Sequence, residues 1–297
     1  MYVPTSETTT CPIKIPMFEA VGCASAKHAN HEARLARYRR FAEQSPKILL
    51  LEPFYPPEAA WGSVKVEQGY LPPLGTISIY RWLRHKGYEV DFIDTQFGDI
   101  TEQELRAKLS ENQYNFVAMP LFTPTATHVF NTARMVRETL PDAVIAYGGV
   151  HATANASLTL EESPECDFCI RREGEITVVE LIEALSAGDT TFEGIEGLSW
   201  RADAGTVVMN PDRTLLPELD DLPLGMFGDL DLARYVPHPT QYIRLPNYPV
   251  VMQRGCPYPC SFCEAHVALG KKLRLLSPER VIEELKILKY EKGARGI

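Results

Sequence analysis

The chain has 297 residues, of which 45% are hydrophobic and 23% charged, and its formal net charge is -9 at pH 7. This composition is typical of a folded protein with enough chain for two ordinary domains. An acidic chain lacks the broad basic surface on which phosphate binding depends, so we expect no nucleic-acid partner and a small-molecule substrate.

The sequence also restricts the compartment. No apolar run reaches the ~20 residues that span a bilayer, and the N-terminus lacks the basic-then-apolar order of a secretory signal. Three of the seven cysteines lie close together near the end of the chain. Such clustering suits metal ligation in a reducing compartment better than a disulfide framework. We therefore predict a cytoplasmic protein with no membrane span and no structural disulfides.

Residues 1–45 begin with a polar Ser/Thr stretch and continue into an Arg/Ala/His-rich segment, residues 28–44. We predict that this segment forms a helix with a basic face, and that residues 1–45 are an N-terminal extension outside the core.

From residue 47 onward, apolar runs alternate with amphipathic stretches, which is the pattern of βαβ units. Strands are predicted at residues 47–52, 89–94, 116–121, 143–148 and 167–171. Helices are predicted at residues 72–86, 101–112, 124–140 and 175–185, and Thr101 and Glu104 fit a capping box at the start of the second. Continuous apolar runs such as ILLL at residues 48–51 indicate strands buried on both faces. The sequence therefore predicts an α/β domain over residues 46–189, with a doubly wound parallel sheet that binds ligands beyond the carboxyl ends of its strands.

Residues 190–247 break into short pieces rich in Pro, Gly and Asp, and we interpret them as a connector. A new apolar strand is predicted at residues 249–252, directly before the cysteines. A helix is predicted from Pro278 to about Lys292. Residues 248–297 thus contain a single predicted βα unit of a further domain.

The sequence RGCPYPCSFC, residues 254–263, spaces its three cysteines as C-x3-C-x2-C. The cysteines are Cys256, Cys260 and Cys263. This spacing lets a compact loop direct three thiolates at one 4Fe-4S cluster and leaves one iron without a protein ligand. The alternative is a zinc site completed by His266, although structural zinc sites normally have four ligands in two separated pairs.

Residues 250–296 resemble the start of a radical S-adenosylmethionine (SAM) domain. The resemblance implies a barrel of βα repeats, SAM on the open iron, and Phe262 near the adenine as a SAM-binding residue. It also implies an electron donor such as flavodoxin or ferredoxin. Because only the first βα unit is present, we expect a truncated barrel.

The preceding domain is similar to the cobalamin-binding domain of cobalamin-dependent radical SAM enzymes. The matching pieces are LPPLG at residues 71–75, GGVHA at 148–152 and REGE at 172–175. The family's usual glycine before Glu173 is Arg172 here, and the Asp-x-His-x-x-Gly signature of base-on cobalamin binding is absent. The cobalamin contacts that the resemblance implies are Leu74, Gly75, Thr123, Gly148, Gly149, His151, Glu173 and Gly174. Each also has a purely structural explanation, as a turn, a loop histidine or a helix N-terminal charge.

These features predict a cobalamin-dependent radical SAM enzyme, foremost a methyltransferase acting on an unactivated carbon or phosphorus centre, present as an N-terminal fragment. An oxidative cyclase or ring-rearranging enzyme with the same cofactors is the nearest alternative. A non-catalytic cobalamin-binding fragment and a zinc-stabilised α/β module are the others. Cys166 and Cys169 are predicted to be core thiols that point to opposite faces of the fifth strand.

Overall fold

The structure is a computed structural model that describes residues 24–55, 69–203 and 205–297, with side chains from residue 30 onward. Cys11, Cys23 and residues 56–68 of the loop after the first strand lie outside the described residues.

The main sheet is mostly parallel. Its strands are β1 (Lys47–Glu52), β2 (Glu89–Asp94), β3 (Phe116–Pro120), β4 (Val144–Gly148), β5 (Phe168–Ile170), β6 (Leu198–Arg201) and β7 (Val207–Met209). Their order across the sheet is β2-β1-β3-β4-β5-β6-β7. β1 to β5 are parallel, whereas β6 and β7 join as antiparallel strands. The predicted α/β architecture is confirmed, and the sheet continues into the part of the chain that we interpreted as a connector.

Helices cover both faces of this sheet. They are α1 (Ala24–Ala42), α2 (Leu74–His85), α3 (Glu102–Asn112), α4 (Ala126–Thr139), α5 (Val150–Ala154), α6 (Ala156–Glu162) and α7 (Glu175–Ala187). Successive side chains of a strand point to opposite faces, so Ile48 and Leu50 pack with α1, α2 and α7 while Leu49 and Leu51 pack with α3, α4 and α6. At the start of α3, Thr101 and Glu104 form the predicted capping box.

Helix α1 belongs to the core. Tyr38 and Phe41 are each 1% exposed and pack against the sheet. Arg37 Nη2 lies 2.5 Å from Asp167 Oδ1, and Arg137 Nη2 of α4 lies 2.8 Å from Asp167 Oδ2. Burial disfavours the charged carboxylate, but the two guanidinium groups outweigh burial and hold the pKa of Asp167 below its usual value. The prediction that residues before 46 lie outside the core is therefore wrong for this helix.

Residues 248–297 contain little regular structure. They form β8 (Gln253–Arg254), α8 (Ala265–Leu269), β9 (Arg274–Leu275) and α9 (Pro278–Tyr290). The strand predicted at residues 249–252 is not formed, because a strand needs a neighbour for its backbone groups and β9 pairs, antiparallel, with Gln253 and Arg254 instead. The predicted helix is confirmed as α9, whose N-cap Ser277 accepts a hydrogen bond from the Arg280 backbone N–H.

Across the described ranges, no helix combines the length and the apolar character needed to cross a membrane. The division of the chain into domains at residues 46, 190 and 248 stays a prediction.

Candidate functional site

The carboxyl ends of the parallel strands lie along one edge of the sheet, which we call the carboxyl edge. Chain order reverses between β1 and β3, because β2 lies on one side of β1 and β3 on the other. Open α/β sheets bind ligands at such a reversal. A cavity of about 50 Å³ lies there, and its lining includes Glu52, Pro120, Phe122 and His128.

Two predicted site residues from different strand ends meet at the carboxyl edge. Thr123 lies in the 3-10 turn after β3, and His151 is the second residue of α5, directly after β4. Thr123 Oγ1 and His151 Nδ1 are 2.9 Å apart. His151 is 8% exposed, and its buried Nε2 has no hydrogen-bond partner among the residues that the structure describes. A buried polar atom without a partner is costly in the protein alone, so this nitrogen fits a ligand that carries hydrogen-bonding groups.

The glycine pair after β4 has a structural role. Gly149 has a φ of +95°, and a Cβ atom there would lie 3.0 Å from the Leu121 carbonyl oxygen. That same oxygen accepts a hydrogen bond from the His151 backbone N–H, and the Leu121 N–H donates to the carbonyl of Gly148. Glycine at position 149 therefore lets the turn that follows β4 lie directly against the end of β3.

The start of α2 approaches the end of β1. Leu74 and Gly75 are the first residues of this helix, and a Cβ atom on Gly75 would meet none of the described residues within 4 Å. In the next position, Thr76 Oγ1 donates to Glu52 Oε2 over 3.1 Å. The helix start therefore presents open backbone at the carboxyl edge.

Glu52 was not among the predicted site residues. Burial and the nearby carboxylate of Asp94 raise the pKa of Glu52 to about 8. Its carboxyl group is therefore mostly protonated at neutral pH and carries a proton that it can donate. The signal was present in the sequence, since a single acidic residue directly follows the apolar run ILLL at the end of the strand KILLLE.

Glu173 faces the second part of the chain. It is 6% exposed, and both of its carboxylate oxygens accept hydrogen bonds from Arg274, at 2.7 and 2.8 Å. Arg254 Nη1 lies 3.2 Å from Glu173 Oε1, and the Leu216 backbone N–H donates to Oε2. Gly174 follows as the N-cap of α7. The cobalamin contacts implied for Glu173 and Gly174 stay predictions.

Arg172, the departure from the family pattern, lies in the left-handed region with a φ of +62°. Its backbone N–H donates to Thr153 Oγ1 over 2.8 Å. Glycine adopts this conformation without steric cost, which explains why the family usually has glycine at this position.

The three cysteines of the C-x3-C-x2-C motif lie in the loop between β8 and α8. Cys256 donates its backbone N–H to Gly270 O, and Cys263 donates to Cys260 O. All three are free; Cys260 is exposed and the other two are half-buried. Phe262 is 89% exposed. Three accessible thiols within one loop are a donor set that fits an iron–sulfur cluster.

The described residues contain no side chains already arranged around a single metal ion. Across these residues, the three cysteines of the loop included, no group of three or more His, Cys, Asp or Glu side chains is arranged to hold one metal ion. Cys166 and Cys169 are fully buried in the same core cluster. The prediction that they point to opposite faces is wrong, because Cys166 precedes β5 instead of lying in it. Burial and a hydrogen bond with Cys169 raise the pKa of Cys166 well above its usual value.

The carboxyl edge and the cysteine loop are adjacent. Helix α5, which begins at the glycine turn and carries His151, packs against α8, which directly follows the cysteine loop. The structure therefore brings together two groups of predicted residues that lie about 100 positions apart in the sequence.

Comparison with known proteins supports both parts of this arrangement. The B12 binding domain family model matches residues 63–182. An uncharacterized methyltransferase of Pyrococcus horikoshii is 33% identical over 251 residues, which cover 84% of this chain and 52% of that protein. The anaerobic magnesium-protoporphyrin IX monomethyl ester cyclase of Rubrivivax gelatinosus is 28% identical over 224 residues, covering 74% of this chain and 39% of the cyclase.

Among solved structures, the cobalamin-dependent SAM radical enzyme OxsB, with aqua-cobalamin and SAM bound, superposes with a TM-score of 0.64 at 19% identity. The match covers 84% of this chain and 32% of OxsB, and it shows a shared fold. The chain spans about half the length of the methyltransferase relative and less of the cyclase. The domain match, the relatives and the shared fold lead to one conclusion: the chain belongs to the family of cobalamin-dependent radical SAM enzymes.

Proposed function

We propose that this chain provides the cobalamin-binding domain and the cluster-binding segment of a methyltransferase that acts on an unactivated carbon or phosphorus centre. The observation that carries the proposal is the contact of α5 with α8, because α5 lies at the carboxyl edge, within the residues that match the B12 binding domain, and α8 directly follows the C-x3-C-x2-C loop. A methyl carrier and a radical source have to act on one substrate, so they must lie side by side.

Cys256, Cys260 and Cys263 would hold a 4Fe-4S cluster, and Phe262 would contact the adenine of SAM. When bound, the cluster supplies the electron that cleaves the SAM sulfonium to a radical, and cobalamin supplies the methyl group. The exposure of Cys260 and Phe262 leaves the loop accessible to SAM and to a protein electron donor such as flavodoxin or ferredoxin. A reducing cytoplasm would keep the free thiols available for ligation.

At the carboxyl edge, each residue would have a distinct task. Thr123 orients the His151 imidazole, and His151 Nε2 is left free to bond a polar side chain of the corrin. Glu52, protonated at neutral pH, would donate a hydrogen bond to the same ligand. Leu74, Gly75, Gly148 and Gly149 would contribute the flat surface that a corrin ring can approach closely.

An oxidative cyclase is the second candidate. The observation that favours it is the similarity of this chain to the anaerobic cyclase of Rubrivivax gelatinosus. Both activities would use the same edge and the same loop, so only the product distinguishes them.

The test is anaerobic reconstitution of the protein with iron, sulfide and hydroxocobalamin. We expect about four irons and four sulfides per chain and a bound-cobalamin absorption spectrum. Cys260→Ala should lower the iron content and leave cobalamin binding intact, while Cys169→Ala, a matched control in the buried pair, should retain the cluster. His151→Ala should weaken cobalamin binding and leave the iron content unchanged.

The outcomes of this test distinguish the proposal from its alternatives. One bound zinc without sulfide would establish the zinc-stabilised module. Binding of both cofactors without release of deoxyadenosine from SAM would establish a non-catalytic cobalamin-binding fragment. Transfer of a labelled methyl group from SAM to a carbon or phosphorus acceptor supports the methyltransferase, and ring formation without transfer supports the cyclase.

A further inference from the structure

Four charged side chains join the sheet domain to the cysteine loop. Glu173 and Glu175 flank the N-terminus of α7, Arg254 lies in β8, and Arg274 lies in β9. The side chains of these four residues are only 4 to 13% exposed. We call these four residues the arginine–glutamate quartet. Two carboxylates face two guanidinium groups, so the quartet has no net charge.

Arg254 is held from three sides. Its Nη2 lies 2.7 Å from Glu175 Oε1, and its Nη1 lies 3.2 Å from Glu173 Oε1. Ser78 of α2 completes the arrangement: its Oγ accepts from Arg254 Nη2 over 2.9 Å and donates to Glu175 Oε1 over 2.6 Å. Burial disfavours the charged form of Glu175, but Arg254 outweighs burial and keeps the pKa of Glu175 below its usual value.

Arg274 anchors the other strand of the β8–β9 hairpin. It makes a bidentate contact with Glu173, and it also donates to the carbonyl oxygens of Leu216 and Leu269, at 2.7 and 3.0 Å. Leu269 is the last residue of α8, so this one guanidinium group connects the sheet domain, the connector and the helix after the cysteine loop.

The chain between Arg254 and Cys256 has little freedom. Gly255 has a φ of +94°, and a Cβ atom there would clash with the Lys272 carbonyl oxygen. The Cys256 backbone N–H donates to Gly270 O over 3.0 Å. A shift of Arg254 would therefore also shift Cys256, the first cysteine of the loop.

Buried ion pairs contribute little net stability, because desolvation offsets their attraction. Their directional geometry is well suited to fixing one arrangement of two segments. In this chain, the ion pairs of the quartet connect the cysteine loop, which carries the candidate cluster ligands, to α7, the helix that begins at the carboxyl edge.

We propose that the quartet fixes the cysteine loop against the carboxyl edge and keeps the charge beside the cluster balanced, so that Glu173 and Glu175 are positioning residues. This inference rests on the proposed function, since it places a cluster on Cys256, Cys260 and Cys263. The reduction potential of an iron–sulfur cluster depends on nearby charge, and uncompensated positive charge raises it.

The first measurement uses the protein without cofactors. Hydrogen–deuterium exchange of peptides within residues 250–276 is compared for the native protein, Glu175→Gln and Glu180→Gln. Glu180 lies on the same helix and pairs with Arg213, so it is a matched control outside the quartet. We expect at least tenfold faster exchange in Glu175→Gln and native exchange in Glu180→Gln. Equal exchange in both variants would overturn the positioning role.

The second measurement is the midpoint potential of the reconstituted cluster, followed by electron paramagnetic resonance. Glu175→Gln leaves Arg254 unbalanced and should shift the potential upward, whereas Arg254→Gln removes a positive charge and should shift it downward. Glu175→Asp keeps the negative charge on a side chain that is one methylene group shorter. It should therefore loosen the loop without raising the midpoint potential. A merely structural role would move all three potentials in the same direction, and that result would overturn the charge-balancing role.

Failure of the proposed function can be recognised separately. If the native protein binds no iron and sulfide, the cluster assignment is wrong, and the exchange comparison alone decides whether the quartet positions the loop. If Glu175→Gln does not fold, the milder variant Ser78→Ala is measured in its place. It removes one hydrogen bond from each of Arg254 and Glu175, so faster exchange within residues 250–276 supports the inference and native exchange contradicts it.

Discussion

The sheet domain and the cysteine segment, residues 248–297, differ in how they hold their residues in place. In the sheet domain, side chains such as Ile48 and Tyr147 are completely buried. In the cysteine segment, Tyr258, Phe262 and Leu275 are 69, 89 and 60% exposed. Hydrophobic burial is non-directional and stabilises a compact body, whereas an exposed loop needs directional contacts to keep one geometry.

The two regions also differ in what their buried charges connect. Asp167 and its two arginines lie within the sheet domain and join helices of one body. In the cysteine segment, Glu284 is 3% exposed and accepts hydrogen bonds from the backbone N–H groups of Gly225 and Met226. The segment is therefore attached to the rest of the chain by polar groups as well as by Tyr248 and Leu288, which pack in one apolar cluster with Ile77 and Phe227. The position of the cysteine loop should respond to changes of these polar groups.

The largest expected effect is on the sheet domain. Asp167→Asn leaves Arg37 and Arg137 without a buried counter-charge and should lower the free energy of unfolding by about 4 kcal/mol. Urea denaturation at pH 7 measures the effect. Asp142→Asn removes the exposed ion pair with Arg40 and should cost less than about 0.5 kcal/mol. Similar losses in the two variants would show that burial does not set the strength of these pairs.

A matched pair of phenylalanine truncations tests burial in the two regions directly. Phe41→Ala removes a core side chain of α1 and should cost about 3 kcal/mol. Phe262→Ala removes a side chain that is 89% exposed, and it should change the free energy of unfolding by less than about 0.5 kcal/mol. The same denaturation experiment serves for both variants. A small loss for Phe41→Ala would mean that α1 is not part of the folded core.

Glu52 tests the electrostatics of the carboxyl edge. Its folded-state pKa of about 8 is raised above that of the unfolded chain. The stability it contributes is present below the unfolded pKa and is lost as pH rises through about 8. Glu52→Gln removes that loss and should stabilise the protein by about 2 kcal/mol at pH 6, where the loss has begun, with little change near pH 4.5.

Urea denaturation at the two pH values measures this difference. Glu89→Gln, at an exposed position of β2, serves as the control and should keep the native pH profile. Equal stability of Glu52→Gln and the native protein at pH 6 would show that the Glu52 carboxyl group ionises as freely in the folded state as in the unfolded chain.

The smallest expected effect is at the junction of the two regions. Arg172→Gly relieves a left-handed backbone and should stabilise the protein by about 1 kcal/mol, reduced slightly by loss of the weak contact with Asp212. Arg172→Ala keeps the unfavourable φ and loses the same contact, so it should destabilise the protein slightly. Thermal unfolding measures both variants, and shifts in the same direction would show that backbone strain is not the cause.

Local patterns were sufficient for the regular elements. The strand at Lys47–Glu52, the capping box at Thr101 and the helix from Pro278 were predicted from apolar runs and capping residues, which act over a few positions. The strand predicted at residues 249–252 was wrong, because an apolar run does not reveal whether its backbone finds a neighbour. Likewise, the basic residues of α1 indicated a solvated face, and only the position of Asp167 shows that Arg37 points inward.

By itself, the sequence was enough to predict the chemistry of the candidate site: the C-x3-C-x2-C spacing predicts a set of thiolate ligands, and the strand-end motifs indicate cobalamin as the cofactor. Only the tertiary structure decided which of these residues meet. It joined Thr123 to His151, and it paired Glu173 with arginines about 80 and 100 residues away. Ligand chemistry depends on residue type and short spacing, whereas long-range pairing depends on how the whole sheet brings distant parts of the chain together.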